Sequence, residues 1–327
     1  GGIKERHSTY FLREAEERGA GSGATRDEEA FSWWKADYEN VSAATAWARE
    51  SGDEELELRF LSAAATDMEL RGIPDYGPRL QSLLERLPDT PPAIRAQALI
   101  HCGAFFWRRG YMDTGRELAR EALDLARSTG SHNLVVHSLI HLGITAEDSQ
   151  QDLTKAYYEE AESAAREYGI SDQWLHIIEG NLGNLALNRH DYSEASVRFE
   201  RALAAARKRD LPYSVANALL DLGTTDLARH EYEQAVVWFR ECLPICESLE
   251  IAEFISWVLE GVAGISVFRG DAVRGARLLG VAKAIQDQAG IDGTYYPVAL
   301  ELRERTTRAA QKLIGEAASA FGLSEDM

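Results

Sequence analysis

Leu99-Ile100-His101-Cys102-Gly103, Leu139-Ile140-His141-Leu142-Gly143, Glu179-Gly180-Asn181-Leu182-Gly183 and Leu219-Leu220-Asp221-Leu222-Gly223 repeat one apolar frame. The four glycines stand 40 residues apart, and Ala263 continues the series. A fixed period of this size is the sequence signature of a solenoid, in which each unit buries its apolar face against its neighbours. Such arrays offer extended binding surfaces, so the period points to recognition before any local motif is considered.

Around each glycine the chain reads as a helical hairpin. Six are predicted, over 54–88, 93–129, 133–168, 173–209, 213–249 and 253–289. The turns are Arg109-Gly110-Tyr111, Arg189-His190-Asp191-Tyr192, Arg229-His230-Glu231-Tyr232 and Arg269-Gly270-Asp271. Small residues open the second helix of the hairpin: Gly115, Ala195, Ala235 and Gly275. Four residues on come Ala119, Phe199, Phe239 and Leu279, and three further on Ala122, Ala202, Cys242 and Ala282. Spacings of 0, 4 and 7 put these on one helical face, where small groups allow close helix approach and the bulky one fills the gap. The third hairpin departs from the pattern: its turn, Thr145 to Asp152, is one residue short. Pro244 falls inside a predicted helix, which it is expected to kink or break. Pro212 and Pro297 fall at helix starts.

The flanks are helical too. Residues 3–18 form an amphipathic helix, and Gly19 to Gly23 end it as a plain loop, without the Lys-Ser/Thr or GxGxxG spacing of a phosphate site. A second helix, about 27–50, carries Phe31, Trp33, Trp34, Tyr38, Val41 and Trp47, aromatics suited to covering the first repeat. A last helix, about 298–321, closes the other end.

Composition narrows the function. The 327 residues carry a net charge of −18 and are 45% hydrophobic. That balance lacks the positive field that nucleic acid or anionic lipid requires, so no direct nucleic-acid or membrane partner is expected. The start, Gly1-Gly2-Ile3-Lys4-Glu5-Arg6, shows no apolar targeting segment, and three cysteines without a CxxC pair suit a reducing cytoplasm. The stretch 128–146 has no Asp, Glu, Lys or Arg, but its histidines and polar residues mark a buried repeat helix.

The frame Leu219-x2-Leu222-Gly223 followed by Ala235-x3-Phe239-x2-Cys242 resembles the tetratricopeptide repeat, with a unit longer than the usual about 34 residues. A narrower resemblance is to the C-terminal repeat domain of bacterial STAND-type (predicted-ATPase) transcriptional regulators. Arg6-His7-Ser8-Thr9-Tyr10-Phe11-Leu12 is similar to the segment leaving their winged helix. Tyr38 to Ala48 is similar to the helix that introduces their repeats, and Gly275 to Ala282 to their last repeat. The resemblance implies a sensor or interaction domain whose nucleotide-binding and DNA-binding modules lie upstream. No Walker motif occurs in this sequence, so no ATPase activity is assigned to it.

The resemblance also implies that the first helix of each hairpin lines the inner wall. On that register the wall comprises Gln97, His101, Trp107 and Arg108; His137, His141, Glu147 and Asp148; Asn181, Asn184 and Asn188; Asn217, Asp221 and Thr224; and Trp257 with Glu260. The candidate ligand-binding set within it is Trp107, His137, His141, Asn181, Asn184, Asn188, Asn217 and Asp221, read as exposed groups converging from four hairpins. Asparagine both donates and accepts hydrogen bonds, so it suits a peptide backbone or sugar-like hydroxyls. For Asn181 a purely structural role stands equally open.

His137 and His141 are four apart, with His101 one repeat earlier, but His137-Ser138-Leu139-Ile140-His141 lacks the glutamate of HExxH and a third ligand, so no metal is assigned. Groove histidines that hydrogen-bond or sense pH are the better reading. Cys242 and Cys246 read as buried, inert thiols.

The expectation is therefore an all-α, right-handed α-solenoid of about six tetratricopeptide-like hairpins with helical caps. It divides into an N-terminal cap or linker over 1–52, repeats over 53–290 and a capping helix over 291–327. Its expected role is non-catalytic recognition of a protein, a peptide or a small-molecule effector, without a cofactor, in the regulatory part of a transcription regulator. A free-standing adaptor is the alternative and a groove-based enzyme a remote one.

Overall fold

The computed structural model describes residues 2–19, 27–71, 73–146, 151–289 and 297–320. Every element among them is an α-helix. Helices α1 (Gly2–Gly19) and α2 (Glu28–Ser51) precede six hairpins. These are α3 (Glu54–Leu70) with α4 (Tyr76–Arg86), α5 (Pro92–Arg108) with α6 (Met112–Thr129), and α7 (His132–Ile144) with α8 (Gln151–Glu167). Then come α9 (Ser171–Asn188) with α10 (Tyr192–Lys208), α11 (Pro212–Ala228) with α12 (Tyr232–Ser248), and α13 (Ala252–Phe268) with α14 (Ala272–Ala289). Helix α15 (Pro297–Ala320) follows. The glycine-rich loop after α1 lies outside the described residues, as do Glu147 and Asp148.

The repeat glycines are contact points. A Cβ at Gly183 would stand 2.5 Å from the ring of Phe199, one at Gly223 2.4 Å from Phe239, and one at Gly143 2.3 Å from Tyr158. Each ring belongs to the second helix of its hairpin and lies flat where a side chain is missing on the first. The ring comes 16 residues after Gly183 and Gly223 but 15 after Gly143, which is the shortened third unit. Arg116 secures that irregular turn: its Nε and Nη2 donate to the Thr145 carbonyl at 2.8 and 2.6 Å.

The small residues opening the second helices meet the first-helix backbone. A Cβ on Gly115 would lie 3.2 Å from the Gly103 carbonyl, and one on Gly275 3.0 Å from the Ala263 carbonyl. Ala195 and Ala235 occupy the same position and are fully buried. Ala195→Leu or Ala235→Leu is expected to cost about 1–3 kcal/mol by overpacking. Urea denaturation measures it, and an unchanged midpoint at both sites would refute the register.

The turns close by left-handed residues. Gly110 and Gly270 have φ of 85° and 93°, and His190 and His230 take the same region at 58° and 64°. In each turn the next residue's N–H reaches back to close the helix, as Asp191 N does to the Ala186 carbonyl at 3.0 Å. This accounts for the Gly/His alternation, because αL residues at helix ends satisfy orphan carbonyls.

Pro244 does not break α12, which runs from Tyr232 to Ser248 through it. The proline is exposed, so the carbonyl it leaves without an amide partner is on the solvent side, while Cys242 and Cys246 hold the buried side.

The chain divides into two compact units, 1–182 with 204–214, and 183–203 with 215–327. In the first, α1 to α6 share a core containing the fully buried Trp34 and Phe60. The α2 aromatics divide their roles: Trp34 and Tyr38 enter that core, whereas Phe31 stacks on Tyr213 at the start of α11, ring centroids 6.3 Å apart. Glu57, 1% exposed, is held in the same unit by Arg49 and Arg79.

Candidate functional site

The candidate residues fall into two groups, one in each unit. In the first unit, rings on α5, α7 and α9 meet edge to face or tilted. His101 and His137 lie 6.2 Å apart, His137 and His141 4.9 Å, Trp107 and His141 6.3 Å, and His137 and Trp174 5.2 Å. Trp174 is fixed by its Nε1–H donating to Asn133 at 3.0 Å. Trp174 lies outside the inner-wall register read from the sequence; its rank as a large aromatic early in α9 was the available signal.

These rings are buried, not exposed as expected. Trp107, His137 and His141 retain 9%, 6% and 7% of their accessible surface. Successive first helices pack inner position against inner position, and the aromatic and imidazole rings fill that contact. Burial lowers the His137 pKa well below the usual range and takes His141 down to about 3, with neighbouring histidines adding to the effect. Both are neutral near pH 7, so the expected pH-sensing role does not operate there. Among the described residues no group of three or more His, Cys, Asp or Glu can hold a metal ion. Asn181, also in this unit, is used internally: its Nδ2 donates to the Ile177 carbonyl at 2.9 Å and its Oδ1 accepts from the Tyr158 hydroxyl at 3.4 Å.

The second unit holds Asn184, Asn188, Asn217 and Asp221. Asp221 is 4% exposed and accepts from Asn217 Nδ2 at 3.0 Å. Burial raises its carboxyl pKa to about 8. It lines a cleft with Thr224, Trp257, Glu260 and, from α15, Leu302 and Arg303. The cleft is narrow, with about 40 Å3 of space open to a water-sized sphere. Glu260 is already satisfied there, by Arg303 at 3.2 Å and by Gln286 Nε2 at 2.9 Å. Helix α15 therefore lies over part of the inner face of α13, a placement that lies beyond the repeats and their register.

Two acceptors in this unit are unanswered. The Oδ1 atoms of Asn184 and Asn188 are buried without a hydrogen-bond partner. A buried amide oxygen left unpaired costs free energy, about 1–3 kcal/mol. The cysteines are placed as expected for inert thiols: Cys242 and Cys246 are buried with sulfurs 3.5 Å apart, and burial drives the Cys102 thiol up to about 12. No helix among the described residues is long and apolar enough to cross a membrane.

Comparison with known proteins agrees with this architecture. The tetratricopeptide-repeat family matches residues 174–248. No curated protein sequence matches the chain significantly. Among solved structures, a Rap protein complexed with Competence and Sporulation Factor superposes with a TM-score of 0.60 at 14% identity, covering 84% of this chain and 81% of that one. The Rap conjugation gene regulator of plasmid pLS20, in complex with a Phr peptide, gives 0.57 at 15% identity, covering 86% and 80%. The apo form of RapI gives 0.50 at 14%, covering 80% and 99%. At these identities the likeness is one of fold. Together with the glycine register, it makes the chain an all-α α-solenoid, and the tetratricopeptide-repeat family is matched over 174–248.

Proposed function

We propose that this chain is a non-catalytic recognition domain that takes an extended peptide on the inner helix faces of its second unit, as the sensor part of a regulator. The observation that carries the reading is the pair of buried, unanswered amide oxygens on Asn184 and Asn188. They lie four apart on α9, and Asp221 on α11 adds a buried carboxyl that accepts from Asn217 and, with its raised pKa, also carries a proton near neutral pH. A peptide main chain supplies N–H donors at regular intervals, the complement of such a row. The fold likeness to Rap proteins, one of them in complex with a peptide, supports the same class of ligand. The resemblance of 6–12, 38–48 and 275–282 to STAND-type regulators supports the regulatory setting. The first unit's ring cluster, closed on itself, serves as packing in this reading.

Peptides selected from a displayed random library on the whole chain test it. Those enriched are expected to lose about tenfold in affinity or more for Asn184→Ala with Asp221→Ala, a loss of at least about 1.4 kcal/mol by calorimetry. Unchanged affinity, or no enrichment over an unrelated helical protein, would overturn the proposal.

A further inference from the structure

A second cleft lies on a different face of α13 from the one that meets α15. Val258, Val262, Ile265 and Arg269 follow spacings of 4, 3 and 4 and turn toward α12, which contributes Val236, Phe239, Arg240 and Leu243. The turn into α14 adds Asp271 and Arg274. The cleft holds about 330 Å3, where packed interiors leave few voids larger than a water. That volume lies at the lower end of the range for small-molecule sites.

Its chemistry is divided. The lining is valine, leucine, isoleucine and Phe239 with Ser266, and three arginines, Arg240, Arg269 and Arg274, belong to it. Their gathering is notable in a chain with 53 acidic and 35 basic residues. Arg269 is paired with Glu233 at 2.7 Å. Asp271 is engaged as the cap of α14, its Oδ1 accepting from the Arg274 backbone N–H at 3.1 Å. The guanidinium groups of Arg240 and Arg274 make no ion pair among the described residues.

We propose that this cleft binds a small amphipathic anion: an unbranched apolar chain ending in a carboxylate, with the tail against Val258, Val262 and Ile265 and the carboxylate between Arg240 and Arg274. The cleft is large enough for a tail of several methylene groups. Arginine suits the head, because its planar fork pairs with a carboxylate through two parallel hydrogen bonds. The site is separate from the row of acceptors on α9 and α11, so the domain would answer to a small effector as well as to a peptide.

Calorimetric titration of the full chain with decanoate tests the proposal, with acetate and decylamine as head-only and charge-reversed probes. Decanoate is expected to bind in the micromolar range, and neither control at the same concentration. Arg240→Ala with Arg274→Ala, both exposed, is expected to weaken decanoate about tenfold or more. Val262→Trp, which fills the cleft, is expected to abolish binding with its helical circular dichroism retained. Should Val262→Trp fail to fold, the arginine pair decides alone. Asn184→Ala with Asp221→Ala is expected to bind decanoate normally, which keeps failure of the peptide reading distinct from failure of this one. No binding below millimolar, equal binding of decylamine, or unchanged affinity in the arginine variant would overturn the proposal.

Discussion

Gly223→Ala is expected to lower the unfolding free energy by about 3 kcal/mol, although it adds one methyl group to a helix. Alanine is otherwise the better helix former by about 1 kcal/mol, so local propensity predicts the opposite sign. The deciding contact is the Phe239 ring. The added Cβ would lie 2.4 Å from Phe239 Cε1. On its other side a Cβ at Gly261 in the next hairpin would stand 2.4 Å from its Cζ. Phe239 is thus held in a slot between two glycines of consecutive first helices, and it is fully buried. Relief requires the ring to leave this slot or the two helices to separate, and either loses packing. Gly280→Ala in α14 is the matched control, since nothing lies within 4 Å of its Cβ position. It is expected to stabilise by about 0.5–1 kcal/mol. Phe239→Leu in the Gly223→Ala background is expected to recover part of the loss, an interaction energy that a double-mutant cycle isolates. Urea denaturation of the four proteins measures all of this. A loss below about 1 kcal/mol for Gly223→Ala would mean that the glycine period records something other than ring packing.

That slot also shows why so much of the fold was legible. In the fourth and fifth hairpins a missing side chain on one helix and an aromatic ring 16 residues later are two halves of one contact, so the contact is written into the sequence twice. The shortened third hairpin could be read for the same reason, since Tyr158 keeps the contact at a spacing of 15. Pro244 misled because the cost of a proline depends on which face of the helix it occupies, and periodicity alone did not weigh that the face here is open to solvent. The candidate site was legible only as a set of positions. The register says which way Trp107, His137, His141 and Asp221 point along their helices, but not what lies opposite. The structure puts His101 and Trp174 against the first group and brings α15, with Arg303, over the inner face of α13 beside Asp221. The second cleft had no sequence signature, because its arginines come from three different positions of the unit, in α12, at the turn after α13 and in α14, and only the turn arginine recurs in several other hairpins.

Acid is expected to unfold the first unit well above the pH at which carboxylates titrate. His137 and His141 are held neutral by burial, with His101 from α5 and, for His141, Arg108 adding positive potential against protonation. Trp174 on α9 faces His137 without a charge. In the unfolded chain both histidines take up protons near pH 6.5. In the folded state His141 does so only near 3, and His137 well below the usual range. Between those limits the unfolded state binds more protons, so stability is full above pH 6.5 and falls as pH drops below it. Each such histidine contributes a slope of up to about 1.4 kcal/mol per pH unit over that range. Glu57 adds a loss of the same sign only at lower pH, because Arg79 and Arg49 hold its carboxyl below its normal range. Asp221, in the second unit, acts in reverse. Its folded pKa of about 8 lies above its unfolded one, so its contribution is full in acid and lost as pH rises through 8. Two changes separate the effects. His137→Phe with His141→Gln is expected to flatten the fall between pH 6.5 and 5, and Asp221→Asn to remove the decline toward pH 8 while Asn217 keeps an acceptor. Urea midpoints across pH 4.5–9 measure both. A first unit equally stable at pH 5 and 7 would show that these imidazoles reach solvent or a hydrogen-bonding anion, and are not the closed packing cluster described above.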